Sequence, residues 1–110
     1  MLDSTRVEAT VRHVVGLLAA GAYDALAQLS VDGGLSADDL RQSVEDYGCT
    51  VLAEPVHTGT PDPLDDGSGW WMDVDLRTVE EGQGDLTLSL TLWDSEGPRC
   101  QVRVDGLHVL

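Results

Sequence analysis

The sequence predicts an α+β domain: three N-terminal helices packed on one face of a four-stranded antiparallel meander sheet, with a cone-like, cystatin-like curved sheet as its variant. Three observations predict it. First, Trp70, Met72, Val74 and Leu76 alternate with Trp71, Asp73, Asp75 and Arg77; Leu86, Leu88, Leu90 and Leu92 alternate with Thr87, Ser89, Thr91 and Trp93; Cys100, Val102 and Val104 alternate with Gln101, Arg103 and Asp105. A period of two with one apolar side is a strand with one buried face. Second, apolar residues before position 48 recur three and four apart, the spacing of a helical stripe. Third, Glu80–Gly84 and Asp94–Pro98 carry turn chemistry between the strands. A chain of 110 residues is one domain with room for its own core. Its helices should occupy about 4–48 and its sheet about 49–110, with a mobile loop at 59–69.

The first helix should start at Asp3 to Thr5, since Thr5 and Glu8 have capping-box spacing. Val7, Val11, Val14, Val15 and Leu18 form its stripe, His13 falls off it, and Gly21 can end it in the left-handed conformation. Ala22–Leu29 reads as a short second helix with Ala22, Leu26 and Leu29 inward and the Tyr23 ring packed. The third helix has the clearest start: Ser36 caps it, Asp38 and Asp39 sit on the positive end of its dipole, and Leu35 staples to Leu40. Leu40, Val44 and Tyr47 point inward, and Gly48 ends it.

Cys49–Thr58 reads as a strand that lies at a sheet edge or ends near Pro55, because proline cannot donate to a ladder. Gly59–Gly69, rich in proline, glycine and aspartate, reads as a loop. In the two strands that follow, every apolar residue has an even number, so paired numbers must sum to an even value; a slip of one would turn an apolar row to water. A five-residue loop centred on Gly82 sets Trp71 opposite Trp93, and the matching register beyond sets Trp93 opposite Arg99 and Ser89 opposite Arg103. The outer face then holds Trp71, Trp93 and Arg99 at one end, with Asp73, Asp75, Arg77, Arg103 and Asp105 below. Leu107–Leu110 is apolar enough to complete the last strand or tuck against a helix, with His108 structural. Leu40, Val44, Met72, Val74, Leu88, Leu90 and Val102 should be mutually buried.

Twenty acidic residues against six basic ones give a net charge of −14, which argues against nucleic acid and anionic membrane as partners and favours a basic protein. Lys, Ile, Asn and Phe are all missing. Their codons are AT-rich, so the composition points to a GC-rich bacterial genome. The apolar run Val14–Ala22 is too short to span a bilayer, and the N-terminal residues lack the pattern of a secretory signal. The expected compartment is the cytoplasm, with Cys49 and Cys100 as thiols rather than a bridge.

No constellation carries obvious chemistry. Asp62–Asp73 has a calcium-loop outline, but Leu64 stands at a ligand position and a strand replaces the exiting helix. Asp73 and Asp75 share a strand face as paired carboxylates can, yet Arg77 and Arg103 on that face would pair with them. No residue is assigned as catalytic, and no cofactor or metal is expected.

Two resemblances extend this reading. Val15–Leu29, where a helix ends at a glycine and a short helix opens Ala-Tyr-Asp-Ala-Leu, resembles the opening of the nuclear transport factor/ketosteroid isomerase-like superfamily. That likeness implies helices packed into a curved sheet, often with dimerisation through the sheet's outer face, and no catalytic residue is carried over. The whole chain is similar to a family of small uncharacterised bacterial proteins through Leu35–Leu40, Trp70–Leu76, Asp85–Leu88 and Asp105–Leu110. The leading expectation is a non-catalytic protein-binding module, homodimeric through Trp71, Trp93, Arg99, Asp73, Asp75 and Arg103. The alternatives are an isomerase-type or ligand-binding pocket lined by Tyr23, Tyr47, Met72 and Val74, and an immunity-type inhibitor of a basic toxin.

Overall fold

The computed structural model describes residues 4–31, 33–47, 57–58, 61–65, 67–79 and 82–109. Its elements are α1 (Ser4–Ala19), α2 (Tyr23–Leu29), α3 (Ala37–Tyr47), β1 (His57–Thr58), β2 (Asp62–Pro63), β3 (Trp70–Thr78), β4 (Gly82–Trp93) and β5 (Gln101–Val109). The sheet is antiparallel and open, in the order β1-β3-β4-β5, with β2 also paired to β3. The three helices cover its inner face, so the α+β architecture is the expected one.

Local chemistry sets the helix ends. Ala22 N–H donates to Leu17 O at 2.9 Å and Gly21 N–H to Leu18 O at 3.1 Å, while Gly21 takes φ 72°. This is the paired bonding of a helix closed by a left-handed glycine. At α3, Ser36 Oγ accepts from Asp39 N–H at 3.1 Å while Asp39 Oδ2 accepts from Ser36 N–H at 3.3 Å. Two orphan donors are thereby satisfied reciprocally. α1 starts at Ser4, within the expected Asp3–Thr5, but Thr5 lies inside its first turn rather than before it, and Glu8 pairs with Arg12 at 2.9 Å.

The edge strand is two short pieces with an offset between them. Thr58 pairs with Val74 and Asp62 with Trp71, so the edge advances four residues against three of β3. Asp62 and Pro63 thus sit in the sheet, where the sequence had suggested a loop, and Pro63 lies on an edge that needs no further donor. The remainder of the expected Cys49–Thr58 strand, Pro55 included, lies outside the described residues.

Both hairpin registers keep the expected even parity next to the Trp residues but differ by two. Trp71 stands opposite Thr91, not Trp93, because Thr78 pairs with Gly82 and Leu76 faces residues 84–86 across a register shift. Trp93 stands opposite Gln101, not Arg99, and Arg103 opposite Thr91, not Ser89. Cys100 N–H donates to Thr10 Oγ1 of α1 at 2.8 Å, and the ladder with β4 begins just beyond it, at Gln101, two residues after the expected Arg99.

Further along, Leu90 pairs with Val104 and Ser89 with Gly106, leaving Asp105 as the extra residue of a bulge. The bulge reverses the alternation, so Val102 and Val104 before it and Leu107 after it are all buried. The core then joins the inner rows of β3, β4 and β5 to the α1 stripe, Leu26, Leu40 and Val44. The seven residues expected to be mutually buried are all there.

The outer edge of β5 is covered. Val31 N–H donates to Val102 O at 2.9 Å, Leu35 N–H to Val104 O at 3.0 Å, and Val104 N–H to Ser30 Oγ at 2.9 Å. The connection from α2 to α3 therefore lies along β5 and occupies backbone groups that an exposed edge would offer to another chain.

α1 is tied to the far end of the sequence through Thr10, whose hydroxyl also donates to Arg6 O at 2.7 Å. Thr10 is 1% exposed. Thr10→Val keeps the shape and leaves the Cys100 N–H buried without its acceptor, which costs about 1–3 kcal/mol. Urea unfolding measures this; an unchanged midpoint would show that the bond contributes nothing.

Candidate functional site

The outer face of the sheet is where alternation places large and charged side chains that the core does not need. Trp71, Thr91 and Arg103 form one cross-strand row, and Asp73 stands opposite Ser89 in the next. Trp71 is 44% exposed, whereas Thr91 in the central strand is only 3% exposed beneath its long neighbours.

The polar groups between them are bonded to one another. Ser89 Oγ donates to Asp73 Oδ1 at 2.7 Å. Arg103 Nε donates to Asp105 Oδ1 at 2.6 Å, and Thr91 Oγ1 donates to Asp105 Oδ2. The Arg103 guanidinium also lies over the Trp93 ring, 5.4 Å from its centroid. A half-exposed ion pair adds little stability by itself. A bulge carboxylate and an indole nevertheless flank the Arg103 guanidinium together. The expected ladder of Asp73 and Asp75 with Arg77 and Arg103 is replaced: Asp73 takes Ser89, Arg103 takes Asp105, and Arg77 faces Gln83 beyond the register shift.

Trp93 is half-buried because Gly69 makes room for it. A Cβ at Gly69 would come within 2.6 Å of Leu92 O and 2.9 Å of Trp93 Cδ1. The ring edge therefore rests on a position that only glycine can fill.

Arg99 does not join this face. It lies in the β4–β5 connection, where its charge acts on His13 of α1. Burial first, and Arg99 second, hold the His13 imidazole below its ordinary value of 6.5. The folded state therefore takes up a proton less readily than the unfolded chain. The histidine's contribution to stability is whole above about pH 6.5 and falls as pH drops from there towards the lowered folded value. Arg99→Gln should move the His13 midpoint part of the way back, burial remaining the larger cause. Following the ring protons by NMR through pH measures this, and an unmoved midpoint would remove Arg99 as a cause.

Residues 15–110 match a domain of unknown function, DUF7668. The chain belongs to the DUF7668 family. No curated protein and no solved structure matches it. The DUF7668 segment begins within α1 and takes in the described sheet, so every residue of the outer face lies inside it, while Arg6 and Thr10 precede it. The likeness of Val15–Leu29 to the nuclear transport factor/ketosteroid isomerase-like superfamily is not confirmed by these matches.

Of the residues suggested for a pocket in the DUF7668 domain, Met72 is 1% and Val74 0% exposed, and Tyr23 packs partly buried against the core. The Tyr47 side chain lies outside the description. A void wide enough for water would give its lining residues accessible area, and Met72, Val74, Leu88 and Leu90 have at most 1%. Among the described residues no group of three or more His, Cys, Asp or Glu is placed to hold a metal ion. Among them, too, no helix is long and apolar enough to cross a membrane.

Gly69 is the site residue that the strand alternation did not single out, and the place of Asp105 as a bulge residue was not read from it. The signal for Asp105 was present. Inward residues run Val102, Val104 and then Leu107, a break in parity that requires one extra residue between them.

Proposed function

We propose that the protein is a non-catalytic binding module that pairs with a second copy of itself through the outer face of its sheet. The observation that carries the reading is Trp71, 44% exposed on a flat strand face. Around it stand Asp73, Asp75, Arg77 and Arg103, charges of both signs on one surface. Such a patch is self-complementary under a two-fold axis, where each acid of one copy can meet a base of the other. Arg103 is flanked by Asp105 and Trp93, and tryptophan and arginine are the residue types that most often dominate binding energy. Arg99, in the β4–β5 connection, is left out of the interface.

The packed inner face over Met72 and Val74 supports a binding role over the isomerase-type pocket, which rests on the Val15–Leu29 likeness alone. The composition, without Lys, Ile, Asn or Phe, supports a bacterial setting.

Sedimentation equilibrium of the wild type and of Trp71→Ala tests the pairing. The wild type should be a dimer at micromolar concentration, and the variant should dissociate at least about tenfold more readily, since a central tryptophan commonly contributes 2 kcal/mol or more. Copies each carrying −14 repel, so added salt should tighten the dimer. A wild type that stays monomeric at high micromolar concentration removes the proposal. A dimer indifferent to Trp71→Ala moves the interface off this face.

A further inference from the structure

The outer row of β3 reads Trp71, Asp73, Asp75 and Arg77, and Val79 follows the end of the strand. Trp71 and Val79 are the exposed large hydrophobics among the described residues, at 44% and 61%. Both stand four residues from Asp75, and Asp73 and Arg77 both stand two from it. Read from either end, the row therefore runs apolar, charged, Asp75, with an acid on one side answered by a base on the other. The strand is regular throughout, outward and buried residues alternating from Trp71 to Thr78. The register shift falls on β4, which advances four residues, Thr87 to Gln83, while β3 advances two.

We infer that β3 crosses β3 of a second copy in the opposite direction, with Asp75 on the two-fold axis and Asp73 of each copy paired with Arg77 of the other. This rests on the pairing through the sheet face proposed above, to which it adds an axis and the residues that meet.

Unmet bonding capacity singles out the two charges. Arg77 is exposed, and its guanidinium has no hydrogen-bond or ion-pair partner among the described residues. Asp73 Oδ1 accepts from Ser89 Oγ at 2.7 Å, and Oδ2 has no partner among them. A carboxylate with an open oxygen and an unpaired guanidinium form a charge-assisted bond. Within one chain they lie four residues apart on a strand, about 13 Å, too far to meet. A second copy brings them together.

The direction follows from the charges. A two-fold axis along β3 would set every charge over its own copy, and one between β3 and β4 would set Asp73 over Ser89 and Arg77 over Gln83. An axis across the strands at Asp75 makes two Asp73–Arg77 pairs and lays Trp71 of each copy towards Val79 of the other. Thr87 and Thr91 on β4 are only 1% and 3% exposed, so β3 stands above this neighbour as a ridge. Sheets packed face to face lie about 10 Å apart and cross at about 30°. Two residues from the axis, that crossing displaces facing positions by about 3–4 Å, within the reach of an arginine. One like-charge contact remains, Asp75 against Asp75 on the axis itself.

Sedimentation equilibrium of single-residue variants tests the arrangement, because it gives two carboxylates of one strand face opposite effects. Asp73→Asn should loosen the dimer about tenfold, two charge-assisted bonds being lost. Asp75→Asn should tighten it severalfold by relieving the contact on the axis. Asp38→Asn on α3 removes the same charge elsewhere and should tighten the dimer only slightly, the baseline for diffuse repulsion between acidic copies. Asp73→Arg and Arg77→Asp should each be largely monomeric alone, yet the two should pair when mixed, since each then offers the charge that the other lacks. Their association also shows that both are folded.

A wild type that is monomeric at high micromolar concentration overturns the pairing itself. A dimer that Trp71→Ala dissociates but Asp73→Asn tightens leaves pairing through this face standing and overturns the antiparallel crossing. So does a failure of the Asp73→Arg and Arg77→Asp chains to associate. Loosening by Asp75→Asn overturns it too, because Asp75 would then be the acid that meets Arg77.

Discussion

Leu88→Ala is expected to lower the stability of the domain by about 2–5 kcal/mol, the range for a buried leucine truncated to alanine. Leu88 is 0% exposed in the central strand, and its row runs Val74, Leu88, Leu107 across β3, β4 and β5. The side chain therefore has apolar neighbours on both flanking strands as well as the helices above. Backbone pairing on both sides limits how far the strands can collapse into the space vacated, so the cavity cost adds to the lost transfer energy. Domains are commonly stable by only about 5–15 kcal/mol, so this one change removes a large share. Urea unfolding should show a lower midpoint with the same slope. A loss below about 0.5 kcal/mol, typical of surface positions, would mean that this face of β4 is not the core.

Gly34→Ala should cost about 2–4 kcal/mol, although the position is exposed: left-handed strain contributes about 1–3 and a lost backbone bond about 1. Gly34 has φ +80°, and a Cβ there would lie 2.6 Å from Ser30 Oγ and 2.7 Å from Val104 O. The second contact decides the outcome, because it is with backbone inside a strand. Relief requires the connection to lift from β5, which gives up the bond from Leu35 N–H to Val104 O. Gly33, with φ +91° and open space around its Cβ position, is the matched control and should lose only the conformational part. Equal losses at the two positions would show that the close approach to β5 is unimportant.

Local patterns foretold the elements well and the long-range registers poorly. The reciprocal bonds of Ser36 and Asp39, the left-handed Gly21 and the buried even rows of β3 and β4 depend on neighbours a few residues apart. Sequence spacing reports those directly. The β4–β5 ladder begins beside Cys100, whose backbone N–H is taken by Thr10, ninety residues away. No window of sequence contains both partners.

For the candidate site the consequence was specific. Trp71, Asp73 and Arg103 reached the outer face as alternation requires, but their partners changed when each register moved by two. Arg99, expected on that face, lies instead in the β4–β5 connection before pairing resumes at Gln101, and its charge acts on His13. Asp75 and Asp73 kept their strand positions without the arginine ladder that their spacing suggested.

The ties from α1 to the last hairpin also bear on how the chain acquires its shape. Arg6 meets Asp94 and Ser95, and Thr10 meets Cys100, across sequence separations of 88 to 90 residues. On a ribosome adding roughly 5–20 residues per second, α1 emerges on the order of 5–20 s before these partners exist. Through that interval the stripe of Val7, Val11, Val14, Val15 and Leu18 lacks the sheet that finally buries it. Closing so long a loop comes late and is slow, because its entropy must be lost before the distant contacts repay it. The N-terminal helix is thus the first element made and among the last secured, and the final hairpin is the piece of chain that secures it.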